Sequence, residues 1–254
     1  MLRKELRMAG DVELKLDGQG SGKPILMLHG GGGPVTIAGL AAHLAQGAHV
    51  LTPTHPGWNG TARPDWLSGV DDLAMLYLRL LKERGLRDVT VVGSSMGGWI
   101  ALEMAVRDTA GLIGRLTIVD GVGVEVPGEK IVDFFALTPR GVAEHSYHEP
   151  DRFFVDPATL PPERMALIRG NIATLKIVAG TLMFDPKLLR RLGQVEIPVL
   201  VLWGESDRIA TPVYGRALAA ALPKGRFELI ARAGHLPQLE RPQETFALID
   251  AFVA

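Results

Sequence analysis

The sequence contains no cysteine, which excludes disulfides, thiol catalysis and cysteine-bound metals. It also lacks an excess of either charge: 27 Lys and Arg stand against 28 Asp and Glu, for a net charge of −1. Nothing in that balance attracts nucleic acid or an anionic membrane, and neither is expected as a partner. No apolar run reaches the roughly 18–20 residues needed to span a bilayer. The first residues, Met-Leu-Arg-Lys-Glu-Leu-Arg, lack the apolar core of a signal peptide. Repeats, low-complexity tracts and charged tails are likewise missing. A soluble cytoplasmic protein, monomeric or homodimeric, is therefore expected. A chain of 254 residues suits one large domain, or one domain with an insertion. At that length roughly 70–75% of the unfolded surface can be buried, so the core needs no covalent staples.

What is present centres on residues 89–98, Val-Thr-Val-Val-Gly-Ser-Ser-Met-Gly-Gly. A β-branched run leads into Gly93-x-Ser95-x-Gly97, and a helix-forming stretch follows from Trp99. Strand, sharp turn and helix make up the setting in which G-x-S-x-G exposes a nucleophilic serine. Ser94 lies off the centre of the motif and reads as structural. A serine hydroxyl is a weak nucleophile and needs a base, and the base needs an orienting group. Among the seven histidines, His235 alone follows the last expected strand, Phe227 to Ile230. Imidazole is the side chain suited to general-base work near neutral pH. Asp207 ends the acidic turn after the apolar run that starts at Val199. Asp120, at the end of the run Leu116 to Asp120, is the competing candidate for the acid.

These segments resemble the α/β-hydrolase fold family over essentially the whole chain. Leu28-His-Gly-Gly-Gly-Gly33 is similar to the family's oxyanion loop, and Pro56-Gly-Trp-Asn-Gly60 to the loop after the next strand. Gly204 to Pro212 is similar to the acid loop, and Gly234 to Glu240 to the histidine loop. The family often carries an acidic residue before that Pro-Gly; here it is His55, which implies one charge fewer near the pocket mouth. The resemblance implies a mainly parallel eight-stranded α/β sheet with helices on both faces and an inserted helical cap. The core would be residues 1–122 and 191–254, with the cap at 123–190.

Residue patterns agree with that layout. Pro24 to Leu28 reads as a buried parallel strand, and residues 3–8 and 11–17 as an opening hairpin. Ile37 to Gln46 reads as a helix. Val70, Leu73, Ala74, Tyr77, Leu80 and Leu81 form one helical stripe that Gly85 ends. From about Val122 to Leu192 the alternation of strand and helix is lost and prolines accumulate. The aromatic residues there, Phe134, Phe135, Phe153, Phe154 and Phe184, with Leu137 and Met183, are expected mostly to close the cap's own small core. Trp58 and Trp99 read as packing residues. His43, His49, His145 and His148 have no assigned role. His145 and His148 are spaced i, i+3, but no third ligand accompanies them, so no metal is expected.

Four glycines from Gly30 to Gly33 let backbone N–H groups face a pocket. The oxyanion donors are assigned to Met96 and Gly31, with Gly32 as the alternate. A phosphate loop fails here because Val35 stands where the third glycine is required. Gly20-Ser-Gly-Lys23 fails as a Walker fragment because Pro24 replaces the Ser or Thr. The reaction expected is hydrolysis of an ester or related acyl bond of a small apolar substrate, without cofactor or metal. Meta-cleavage-type C–C hydrolases share the same triad and remain an alternative. Epoxide hydrolases and haloalkane dehalogenases use an aspartate nucleophile, so Ser95 argues against both. A non-catalytic small-molecule receptor on the same fold is the alternative of another class.

Overall fold

The computed structural model describes residues 3–9 and 12–253. Its centre is one eight-stranded sheet. In chain order the strands are β1 (Arg3–Ala9), β2 (Val12–Gln19), β3 (Pro24–Leu28), β4 (His49–Thr54), β5 (Val89–Ser94) and β6 (Ile113–Val119), followed after an excursion by β9 (Val199–Gly204) and β10 (Gly225–Ile230). Their spatial order is β1-β2-β4-β3-β5-β6-β9-β10. The pairs β1·β2 and β2·β4 are antiparallel, and all other neighbours are parallel. The expected hairpin is present, with its turn residues 10 and 11 outside the described residues.

Alternation along each strand explains the two-sided core. Leu26, Val91, Ile118 and Val201 belong to one apolar cluster, and their neighbours Met27, Val92, Val119 and Leu202 to the other. Successive side chains point to opposite faces, so a strand apolar at every position is buried on both. Helices α2 (Val70–Glu83), α3 (Met96–Ala105) and α8 (Pro212–Ala220) contribute to the first cluster. Helices α1 (Ala38–Leu44) and α10 (Pro242–Val253) contribute to the second. The α2 stripe is buried as expected, and Gly85 adopts φ 63° just after the helix.

The boundaries moved in places. The helix expected from Ile37 begins with a 3-10 turn at Pro34–Ile37, and its α-helical part ends at Leu44. Strand β10 starts at Gly225 rather than Phe227 because parallel pairing with Val199 and Leu200 recruits two exposed residues of low strand propensity.

Between β6 and β9 the chain leaves the sheet. It forms a two-stranded ribbon, β7 (Gly123–Val124) with β8 (Phe184–Asp185), and helices α4 (Pro139–Ser146), α5 (Pro150–Phe153), α6 (Pro162–Val178) and α7 (Leu188–Arg191). No helix among the described residues is long and apolar enough to cross a membrane.

Candidate active site

Strand order reverses between β3 and β5, since β4 lies to one side and β6 to the other. In open α/β sheets the crevice at such a switch point, outside the carboxyl ends of the strands, is where ligands bind. The glycine loop after β3 and Ser95 after β5 both sit there.

Ser95 occupies φ 56°, ψ −121°, a strained conformation for a residue with a side chain. The turn closes only because its flanking residues lack a Cβ. One at Gly93 would collide with the backbone of Gly97, and one at Gly97 with the Leu28 carbonyl. Ser94 is buried and receives a hydrogen bond from Gln238 Nε2 at 3.2 Å, a structural role.

His235 follows β10 and precedes the short helix α9 (Pro237–Glu240). Its Nε2 lies 2.9 Å from Ser95 Oγ, and its Nδ1 lies 2.8 Å from Asp207 Oδ2. A carboxylate can only accept, so Nδ1 carries the proton and Nε2 is free to accept one from the serine. Asp207 Oδ1 also accepts the backbone N–H of Ile209 at 2.8 Å and of Ala210 at 3.3 Å. Asp207 and His235 are buried, whereas Ser95 is half-exposed. The three predicted residues thus come together from the ends of three strands.

Asp120 does not touch His235 through any hydrogen bond. It is buried behind Asp207, with Oδ1 accepting the Gly204 N–H at 2.9 Å. Burial and the charges of Asp207 and Glu240 push its carboxyl well above the usual range. Asp120, Asp207 and His235 bring one donor atom each within 4.8 Å of one another. They are the one group among the described residues whose atoms converge closely enough for a metal. The His235–Asp207 pair within it is joined at 2.8 Å, the distance of a direct hydrogen bond. His145 and His148 turn to separate partners, the Gly141 carbonyl and Ser206 Oγ.

The glycine loop passes against the nucleophile: a Cβ at Gly30 would lie 2.9 Å from that of Ser95. The N–H groups of Gly31, Gly32 and Met96 donate to no described acceptor. Trp58, read from the sequence as a packing residue, and the buried pair His29 and His55 hold this loop. Trp58 donates its indole N–H to the Gly31 carbonyl at 3.0 Å, and the His29 ring packs against that of His55. His55 therefore lies beneath the loop and is fully buried, which corrects its expected place near the pocket mouth.

A cavity of about 360 Å³ opens on Ser95 and His235. Its walls include Phe134, Phe153, Phe154, Ile168, Leu175, Met183 and Leu236, and no Lys, Arg, Asp or Glu lines it. Four of the seven large apolar residues singled out between 123 and 190 thus face the serine, so the expectation that most would close a separate core is corrected. That segment loses helical and strand periodicity, and periodicity is the only signal by which sequence assigns a face.

The segment is fastened to the rest of the site. His235 donates its backbone N–H to the Ser146 carbonyl at 2.7 Å. Glu240 accepts the backbone N–H groups of Gly234, His148 and Glu149. On the far side, Asn171 pairs with Asn59, and Thr174 Oγ1 donates to the Gly57 carbonyl.

A model of the alpha/beta hydrolase family matches residues 25–248. The chain is 26% identical to a 2-hydroxy-6-oxononadienedioate/2-hydroxy-6-oxononatrienedioate hydrolase of Cupriavidus pinatubonensis, over 91% of this chain and 88% of that one. It is 25% identical to lipase 1 of Psychrobacter immobilis, over 93% of this chain and 78% of the other. A serine hydrolase from the polyaromatic-hydrocarbon-degrading bacterium Cycloclasticus zankles superposes with a TM-score of 0.82 at 17% identity, covering 100% of this chain and 98% of that one.

Proposed function

The chain belongs to the alpha/beta hydrolase family, and we propose that within it the protein is a serine hydrolase that cleaves an ester, or a related acyl bond, of a small apolar substrate. The observation that carries this reading is the hydrogen-bonded series from Ser95 Oγ to His235 Nε2 and from His235 Nδ1 to Asp207.

In the proposed reaction Ser95 Oγ attacks the acyl carbonyl carbon while its proton passes to Nε2 of His235. Asp207 stabilises the imidazolium through Nδ1. The negative charge on the former carbonyl oxygen is met by the backbone N–H groups of Met96 and Gly31, with Gly32 as the alternate. As the carbonyl re-forms, the C–O bond to the leaving alcohol breaks and Nε2 returns the proton to it. Water, deprotonated by the same histidine, then releases the acid and restores Ser95. The segment 123–190 acts as the cap that shapes the acyl pocket.

Cavity chemistry supports an uncharged substrate. A dioate such as that in the Cupriavidus enzyme's name carries two carboxylates. Burying them without cationic partners is costly, and none lines this cavity. C–C cleavage of such compounds is therefore the second reading and not the first.

Hydrolysis of p-nitrophenyl esters of increasing chain length, wild type beside Ser95→Ala, tests the proposal. Turnover that disappears in the variant is expected, with a preference for short-to-medium chains. Equal turnover in both would overturn it. No turnover on any ester would move the weight to C–C hydrolysis or to a receptor that binds without turnover.

A further inference from the structure

Three carboxyl groups crowd the interior behind His235. They differ in how many hydrogen-bond donors reach them, and that difference decides which one holds a proton. Glu240 receives three backbone N–H groups, from Gly234, His148 and Glu149. Asp207 receives two, from Ile209 and Ala210, together with the Nδ1–H of His235. Asp120 receives one, from Gly204, on Oδ1; its Oδ2 is buried and no donor of the protein reaches it. Each donated N–H favours the ionised form, and burial without donors favours the neutral one. The carboxyl with fewest donors is therefore the one that keeps its proton.

We propose that Asp120 is a neutral carboxylic acid whose Oδ2–H donates to the Asp207 carboxylate, and that this hydrogen bond makes Asp120 a positioning residue for the catalytic series. Asp120 is fully buried, and one of its carboxyl oxygens lies within 4.8 Å of a carboxyl oxygen of Asp207. Two ionised carboxylates only accept, so a hydrogen bond between these two side chains requires one proton. Burial, the facing charge of Asp207 and the charge of Glu240 all act in the same direction.

The same side chain steadies the loop that carries Asp207. Its Oδ1 takes the Gly204 N–H, and the Asp207 N–H in turn donates to the Gly204 carbonyl at 3.2 Å. One carboxyl thus holds both the root of the acid loop and the carboxylate at its tip. Because Asp120 is neutral, it does so without adding a second negative charge next to the imidazole. An ionised Asp120 would instead act on His235 as a further anion and raise the pH at which the base becomes available.

The inference rests on the triad reading above, yet its first test does not need activity. Infrared difference spectra of the wild-type protein at about pH 8 should show the carbonyl band of a protonated carboxylic acid, since ordinary carboxyls are ionised there. The band should vanish in Asp120→Asn. Its absence from the wild type, or its survival in Asp120→Asn, would overturn the proposal. The second test is kinetic. Asp120→Ala should lower kcat by roughly 10-fold or more with little change in KM, and Asp120→Asn, which stays neutral and keeps a donor, should recover most of that loss.

The acid limb of the rate profile of Asp120→Asn should stay within about one pH unit of wild type. A downward shift beyond that would show that an anion had been removed, because a charge within about 4–6 Å moves a neighbour by 1–3 units. Full activity in Asp120→Ala would equally refute the positioning role. Should Ser95→Ala keep its turnover, the triad reading fails while the infrared result still decides the state of Asp120.

Discussion

The imidazoles of His29 and His55 lie against each other with centroids 3.6 Å apart and planes tilted by 31°, and neither ring is exposed to solvent. Every ring nitrogen is in use. His29 donates Nδ1–H to the Gly30 carbonyl and accepts the His55 backbone N–H at Nε2. His55 donates Nε2–H to the His29 carbonyl and accepts from Tyr77 at Nδ1. Both rings are therefore complete as neutral tautomers, and a second proton on Nε2 of His29 would face an N–H.

Burial lowers the His29 pKa from 6.5 to about 4, and burial beside His29 lowers that of His55 as well. The unfolded chain binds protons below about pH 6.5 that the fold refuses, so stability is complete above that pH and is lost as pH falls toward 4. For His29 alone the loss is on the order of 3 kcal/mol. Urea midpoints measured from pH 7 to pH 4 should fall on the acid side, and the fall should be shallower in His55→Gln. Identical slopes in the two proteins would refute the assignment.

Asp207→Asn keeps the shape of the acid but withdraws the acceptor that fixes the His235 tautomer. Its kcat should drop by roughly 10³- to 10⁴-fold with the circular dichroism spectrum unchanged. A change of less than 10-fold would remove Asp207 from the role of orienting acid.

Trp58 anchors the Gly31 carbonyl, and with it the Gly31–Gly32 peptide, through its indole N–H. Trp58→Phe retains the packing and deletes that donor. If the N–H of Gly31, or of its alternate Gly32 in the anchored peptide, stabilises the oxyanion, kcat should fall by about 10-fold with KM little changed. A rise in KM alone would mean that the loop binds substrate without serving the transition state.

Charge discrimination follows from the cavity walls. A neutral ester should be hydrolysed with a kcat/KM on the order of 10²-fold or more above that of the carboxylate-terminated ester of equal length, since no cation lines the cavity. Equal rates would show that the acyl tail does not enter it.

At Gly97 a side chain would meet the Leu28 and His29 carbonyls. Gly97→Ala should cost roughly 3 kcal/mol in urea unfolding, because strand β3 has no room to retreat. An unchanged midpoint would mean that the elbow is less tight than its geometry indicates.

The core strands and the order Ser95, Asp207, His235 were legible in the sequence because local rules write them. A buried parallel strand must be apolar at every position, and an elbow must have glycine where backbones touch. Distances in space follow no such local rule. His55, Trp58, Glu240 and Asp120 owe their roles to partners lying 26, 27, 92 and 84 residues away, and nothing in their neighbours along the chain encodes those contacts. The same holds for Phe134, Phe153 and Phe154: proline-rich sequence without periodicity leaves their direction open, and only the closing of the segment over the switch point turned them toward Ser95. The chain by itself determined which residues could do the chemistry. Tertiary structure alone decided what surrounds them, because packing and burial depend on which strand ends and loops are brought together.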